Sequence, residues 1–534
     1  MGFEPVIGFE VHAQLDTRSK IFCGCENAGG GEPNTRTCPV CLGLPGALPV
    51  LNEAVVDMGV AAALALDADV SGVSGFARKN YFYPDLPKGY QITQFGAPVA
   101  RNGHLDVETG HGTVRVGIRQ VHVEEDAGKT VHDAATGASL VDMNRCGVPL
   151  LEVVTEPDLR SVDDADRFLT ALRELLVRLG VTKGRMHEGE LRFDANISVR
   201  RVGDDKLGVQ TEIKNLNSFR SARRALAFEL ERQSRLLASG RGVVHETLLW
   251  DEASGRAVPM RSKEVASDYR YFPEPDLVDF TVGRERLERL RAEQPELPRD
   301  TVGRFVRDYG LPPYDAGVLT ASRDTMLFYE MAVRAVLREL EPGALPPGSA
   351  REAGSEEPSG AVVLDPLPED LDALPVVAKA VSNWVMVVLT GYLNEHGLSV
   401  DELAGRAGAM ESGRPGSGAA LATRFAAVVA ARLRGELSEP AARRLFEAAV
   451  EGPEPIGELI ERMGLRASRD GKRLEALVRS ILEAHPSEVE RYRSGATKLL
   501  RFFVGRALSE TGGSADPEVL TELFRRELEE GGEA

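Results

Sequence analysis

No basic-then-apolar leader opens the 534-residue sequence, and no run approaches the roughly 18 uncharged apolar residues of a membrane-spanning helix. The expectation is a cytoplasmic protein without a membrane partner. Cysteine is scarce: five residues, an odd number with four close together, fit a metal site in a reducing compartment better than a disulfide framework. No GxxxxGK[ST] or GxGxxG loop is present, which excludes a standard P-loop or Rossmann nucleotide site. Positive charge is also short. A formal net charge of −18 excludes a protein that coats nucleic acid nonspecifically, so any RNA contact must be local. No internal repeat is found.

What is present fits several domains, since 43% of the residues are hydrophobic and 27% charged over a length that suggests three or four cores. Residues 1–292 alternate strand-like segments with Gly/Pro/Asn turns, interrupted by one clear helix after Ser161. In that helix Phe168, Leu169, Leu172, Leu175, Leu176 and Leu179 share a face, Ser161 supplies an N-cap and Gly180 lies past the end. This half reads as α+β with a mostly antiparallel sheet. Residues 293–407 read as a helical domain, interrupted near 341–360 by a Pro/Gly/Ser/Glu stretch expected to be a disordered insertion. A Gly/Ser/Pro cluster, Gly408 to Gly418, then separates a small helical tail domain, 419–534.

Four of the cysteines fall within 19 positions: Cys23-Gly-Cys25, then Cys38-Pro-Val-Cys41. Two turn-held pairs can converge on one tetrahedral Zn²⁺, and with every ligand a cysteine no position is left for water, so the expected role is structural. The alternative is two buried pairs of ordinary thiols, which the polar, Gly-rich intervening loop disfavours. Cys146 stands apart and reads as a small core residue.

Several strands set an apolar face against a polar one of unusual composition. Glu10, His12 and Gln14 oppose Phe9, Val11 and Ala13; Arg192, Asp194 and Asn196 oppose Leu191, Phe193 and Ala195; Gln210, Glu212 and Lys214 oppose Thr211 and Ile213. A further segment ends in His122-Val-Glu124-Glu125-Asp126-Ala-Gly128-Lys129. A solvated sheet face accounts for any one of these strands. Taken together, Glu, Asp and His are the oxygen and imidazole ligands that would bind Mg²⁺ and bridge it to substrate phosphates. Lys79, in Arg78-Lys-Asn-Tyr-Phe-Tyr-Pro84, and Lys88, in Pro87-Lys-Gly-Tyr90, are candidate phosphate or substrate partners, and the combination suggests phosphoryl transfer. Near the C-terminus, Arg491, Arg493, Lys498, Arg501 and Arg506 interleave with Tyr492, Phe502 and Phe503 without an acid. That stretch is either a phosphate-contact patch or an amphipathic helix with snorkelling basic residues.

Ile7-Gly-Phe-Glu10-Val-His12, Cys38-Pro-Val-Cys41-Leu-Gly-Leu-Pro-Gly46, Arg78-Lys-Asn-Tyr-Phe-Tyr-Pro-Asp85, Glu124-Glu-Asp-Ala-Gly-Lys129, Asp194-Ala-Asn-Ile-Ser198, Glu212-Ile-Lys-Asn-Leu-Asn-Ser-Phe219 and Asp268-Tyr-Arg-Tyr-Phe-Pro273 resemble the B subunit of the GatCAB glutamyl/aspartyl-tRNA amidotransferases. The resemblance extends through Val381-Ser-Asn-Trp384 to a tail similar to the YqeY-like domain. It implies a cradle domain with a kinase-like site, a helical domain and a tRNA-binding tail. It also implies a heterotrimer, in which an amidase (the A subunit) and a small third chain (the C subunit) are the partners. The implied reaction uses ATP to phosphorylate the side-chain carboxylate of Glu-tRNA(Gln) or Asp-tRNA(Asn), which ammonia from glutamine then converts to the amide. By motif, Glu10, His12 and Glu125 would hold Mg²⁺, Glu124 and Asp194 would act beside them, and the four cysteines would hold zinc. The sequence departs from the family at His187, Glu190 and Gln120, which bears on finer substrate contacts.

Overall fold

The alternation of apolar and polar residues around Val6 to Leu15 builds β1 (Phe3–Gln14), a central strand of the largest sheet. In this computed structural model the described residues are 2–133, 136–260, 269–340, 373–412, 418–466, 471–511, 515 and 517–530. The expected insertion near 341–360, Asp268 and the middle of the Gly408–Gly418 cluster lie outside them. The chain divides into two compact units, Met1–Pro298 and Arg299–Ala534.

In the first unit β1 is followed by α1 (Glu53–Ala65), β2 (Asp69–Val70), β3 (Ala77–Asn80), β4 (Tyr90–Thr93), β5 (Ala100–Thr109), β6 (Gly112–Glu125), β7 (Lys129–His132), β8 (Ser139–Asp142) and β9 (Pro149–Thr155). Then come α2 (Val162–Arg178), β10 (Leu191–Arg201), β11 (Thr211–Leu216), α3 (Phe219–Ala238), β12 (Glu246–Asp251), β13 (Arg256–Pro259), β14 (Phe272–Pro273) and α4 (Arg284–Ala292). Nine strands form one sheet in the order β13-β12-β11-β10-β1-β9-β6-β5-β2. Its pairs are antiparallel except β11 with β12, so the sheet is mixed but mostly antiparallel, as expected. A three-stranded sheet, β14-β3-β4, and a β7–β8 hairpin complete the strands.

One face of the large sheet is buried: Phe9, Val11, Val123, Leu151, Val153, Phe193 and Ala195 join Phe168, Leu172 and Leu176 of α2 and Val56 and Val60 of α1 in one core. Ser161 caps α2 as expected, its hydroxyl accepting from the Asp164 amide at 3.0 Å, and Gly180 follows with φ +70°. The expectation of a single helix here is corrected by α1 and α3. α1 is apolar nearly all round, and the buried side of α3 mixes Ala222, Ala225 and Leu226 with Ser221, Glu229 and Gln233, so neither shows a strong stripe of large apolar residues.

The second unit is helical: α5 (Pro298–Tyr309), α6 (Pro313–Thr320), α7 (Arg323–Leu340), α8 (Leu374–Asn383), α9 (Thr390–His396), α10 (Val400–Ser412), α11 (Ala419–Leu433), α12 (Glu439–Glu451), α13 (Ile456–Met463), α14 (Gly471–Ala484), α15 (Pro486–Arg493), α16 (Leu500–Glu510) and α17 (Pro517–Glu530). A π turn, Trp384–Leu389, joins α8 and α9 into one helix. That helix, Leu374–His396, is long and apolar enough to cross a membrane by composition, although Lys379 and Glu395 interrupt it so that it is not a run of 18 uncharged residues. It is a core helix here: Val377, Val381, Val385 and Leu389 are buried, and Lys379 pairs with Asp315 at 2.5 Å. The Gly/Ser/Pro cluster does not mark the boundary between cores as expected. Phe425 and Val429 of α11 share a core with Phe328 and Val333 of α7, and this core continues to Leu465. A separate small core, Leu474 to Leu528, begins at α14, because apolar faces rather than linker composition decide which helices pack together.

Candidate active site and cysteine cluster

Because β1 lies between β10 and β9, and β9 pairs in turn with β6, cross-strand register assembles polar side chains distant in sequence. His12 stands opposite Glu152, Glu152 opposite His122, and Glu10 opposite Asp194. His12 Nε2 lies 3.4 Å from Glu152 Oε2 and 3.6 Å from Glu124 Oε1, while His122 Nε2 lies 2.6 Å from Glu152 Oε2. His12, Glu124 and Glu152 therefore offer donor atoms within 4.8 Å of one another, and so do Glu10, Asp194 and Glu212. Lys214 Nζ sits 2.7 Å from both Asp194 and Glu212, and Asn196 donates to Glu10 at 3.3 Å.

The two groups share one electrostatic field. Burial raises the pKa of Glu10, and Glu152 and Glu212 raise it further. Burial opposes protonation of both imidazoles, yet the carboxylates outweigh it: His12 is raised, and His122 is pushed up to about 10, in each case chiefly by Glu152. Burial likewise opposes ionisation of Glu152, but His122 and His12 hold it well below the usual carboxylate range. A face so rich in acids must recruit protons or cations. Both donor sets suit a hard divalent ion, since three protein donors leave positions for water or phosphate oxygen.

Not all of the residues expected at one metal lie together in this structure. Glu10, His12 and Glu125 do not converge, because alternation turns Glu125 away from Glu124: both of its oxygens lie 2.5 Å from Lys88 Nζ, and the Ile92 amide donates to it at 2.8 Å. In this structure Lys88 pairs with Glu125, its side chain only 10% exposed. Glu124 does face His12 and accepts from Thr93 Oγ1 at 2.9 Å. Lys79 reaches the face, its ammonium 4.9 Å from the Tyr269 ring; burial opposes its charge, but Glu124 leads the groups that raise its pKa. Glu152 and His122 were missed as site residues. Glu152 is the lone carboxylate of an otherwise apolar strand, and His122 lies two residues before Glu124, signals that alternation alone could have supplied. Of the departures, Glu190 pairs with Arg185 and His187 is exposed beside Glu188 at 3.6 Å. Gln120 is half-buried on β6.

The cysteines converge. Cys41 Sγ lies 3.4 Å from Cys23, 3.7 Å from Cys38 and 3.8 Å from Cys25, and all four sulfurs fall within 4.8 Å of one another. Tetrahedral thiolates at Zn–S distances of about 2.3 Å stand roughly 3.8 Å apart, so the cluster fits a closed zinc site. The loop between the pairs is clamped by Asn34, which tolerates φ +62° and donates to Asp142 Oδ1, and by Asn144 Oδ1, which accepts from the Arg36 amide. Cys146 is buried and close to Met143, as expected of a core residue.

In the helical unit Arg491, Arg493, Lys498, Arg501 and Arg506 are all exposed around α15 and α16. Phe503 is buried in the small core and Phe502 packs edge-on against it, so these aromatics serve packing. Arg493 donates to the Leu528 carbonyl, and Arg491, Lys498 and Arg501 form no ion pair among the described residues.

A mixed sheet thus carries acids and imidazoles on one face, and a four-cysteine cluster lies in the loop after its first strand. Residues 5–288 match the GatB/GatE catalytic domain, and residues 372–528 match the GatB domain. The chain belongs to the family of the B subunits of aspartyl/glutamyl-tRNA(Asn/Gln) amidotransferases. It is 45% identical to the B subunit of that name from Anaeromyxobacter dehalogenans over 98% of this chain and 99% of the relative. It is 44% identical to that of Halorhodospira halophila, and 40% identical to that of Persephonella marina, over 99% of this chain and 100% of each relative.

Proposed function

We propose that the face bearing His12, Glu124 and Glu152 beside Glu10, Asp194 and Glu212 is where the side-chain carboxylate of misacylated Glu-tRNA(Gln) or Asp-tRNA(Asn) is activated with ATP. The observation that carries this reading is the pair of donor sets on one sheet face. Mg²⁺ held there would neutralise phosphate charge, the chief requirement of phosphoryl transfer. Lys79 adds a fixed positive charge at the Glu124 end, and Lys214 keeps Asp194 and Glu212 in place. The γ-phosphoryl group passes from ATP to a carboxylate oxygen of the aminoacyl group, releasing ADP. Ammonia then attacks the acyl carbon, the C–O bond to phosphate breaks, and the amide and inorganic phosphate leave.

Ammonia would come from glutamine through the amidase partner, with the small third chain completing a cytoplasmic heterotrimer. The cradle would end near residue 292, the four cysteines would hold a structural zinc, and Arg491, Arg493, Lys498 and Arg501 would contact tRNA. Omitting this chain from the reconstituted trimer should abolish amidation of both misacylated tRNAs while glutamine hydrolysis continues. Amidation that persists without it would overturn the assignment.

A further inference from the structure

Lys20 is 0% exposed, an unusual place for a lysine. Its Nζ lies 2.8 Å from the Arg36 carbonyl, 2.7 Å from the Cys146 carbonyl and 3.6 Å from Cys41 Sγ. An ammonium has three donors and no acceptor, and these three acceptors satisfy it completely. Two are neutral carbonyls, so among these contacts only the Cys41 sulfur can carry the balancing charge. Cys41 is also the buried member of the cluster, whereas Cys23, Cys25 and Cys38 are half-exposed and open to water. The protein thus supplies a donor where solvent cannot. The other nearby cation, Arg36, is spent on Glu26 and on the Ala28, Gly29 and Gly30 carbonyls.

We propose that Lys20 is a positioning residue of the four-cysteine metal site: its buried ammonium offsets the net negative charge of four thiolates on a divalent cation and donates to Cys41. The same group ties three segments together, the loop at Arg36, the second cysteine pair and the Cys146 carbonyl. Gly147, next to Cys146, donates to the Asp126 carbonyl and accepts from the Ile21 amide, so the metal loop is anchored to the strand end that follows Glu125. Unpaired, such a cation would be costly to bury, and unneutralised, the thiolate cluster would release its metal more readily.

The proposal rests on reading the cluster as a metal site, and the two can fail separately. Elemental analysis of the full-length wild-type chain should give about one zinc; a metal-free, fully folded wild type would overturn the metal reading before any variant is made. Lys20→Met, Lys20→Gln and Lys20→Arg are then compared as full-length chains for transfer of zinc to a chromogenic chelator. Loss of the charge in Met and Gln should weaken zinc retention by about 10–100-fold, the usual effect of removing an outer partner of a metal ligand. Iodoacetamide should reach Cys41 sooner in both, and Arg should restore part of the retention. If the Met variant does not fold, the Gln variant, which can still donate to the carbonyls, carries the test. A folded Gln variant that holds zinc as tightly as wild type, with Cys41 no more reactive, would overturn the proposal.

Discussion

The cysteine cluster and the acid–imidazole face are both built from side chains that converge within 4.8 Å, yet they are assembled in opposite ways. The cysteines come from two turns of a single short loop, so sequence spacing alone brings them near each other. The polar face draws on β1, β6, β9, β10 and β11, whose members are as distant as Glu10 and Glu212. It exists only because strand order and register place them so. A site of the first kind should lose its metal when one ligand changes and leave the sheet standing. One of the second kind should lose its chemistry with the fold untouched.

The largest effect should come from Glu152→Gln, which keeps the shape of the side chain but removes the carboxylate shared by His12 and His122. ATP-dependent amidation should fall by roughly 10²–10³-fold, the scale of losing one electrostatic partner in a charged active site, while the partner amidase goes on hydrolysing glutamine. Amidation within about threefold of wild type would remove Glu152 from the catalytic face. Glu125→Gln separates the neighbouring carboxylate from that role. It strands the Lys88 ammonium, whose side chain is only 10% exposed, so folding should weaken by about 3 kcal/mol in urea titration. Lys88→Met combined with Glu125→Leu should recover most of that loss, because an apolar pair leaves no buried charge unpartnered.

Cys38→Ser tests the other half of the contrast. The metal content of the full chain should drop from about one zinc to none. Amidation should fall by at most about tenfold, through loosening of the loop that the metal holds while the sheet stays folded, without the specific block expected of Glu152→Gln. Equal loss of amidation in a chain that stays fully folded would mean that the cluster acts in the reaction itself.

The contrast also explains what the sequence disclosed. The cysteine spacing, the alternation of β1 and β10 and the Ser161 cap are local patterns, and all reappear in the structure. Which carboxylate of the Glu124–Glu125 pair faces His12 is not local. It depends on the pleat of β6 and on Lys88 arriving from a different segment. Glu152 was hidden for the same reason: one acid among Leu150, Leu151, Val153 and Val154 gains meaning only when β9 is seated between β1 and β6. In the helical unit, linker composition suggested a boundary at Gly408–Gly418. The pairing of α11 with α7 is a long-range packing fact that no linker encodes.

The smallest effect belongs to the basic stretch, a third kind of site that is local in sequence but exposed and therefore screened by salt. Cutting the chain after Gly418 would be a poor test, since α11, α12 and α13 complete the core of α7 and α8. Point substitutions avoid that damage: Arg491, Lys498 and Arg501 are exposed, and none forms an ion pair among the described residues. Changing all three to alanine should leave the small core of Phe503, Leu520 and Phe524 intact, because the aromatics between them already face inward. If the three cations meet tRNA phosphates, apparent KM for the aminoacyl-tRNA should rise by roughly threefold to fivefold near physiological salt, with kcat unchanged. The slope of log affinity against log salt should become shallower by between about 2 and 3, since each lost phosphate contact removes about 0.7–0.9. An unchanged slope in a folded triple variant would reduce the stretch to an exposed helix face and shift tRNA recognition to the sheet unit or the partner chains.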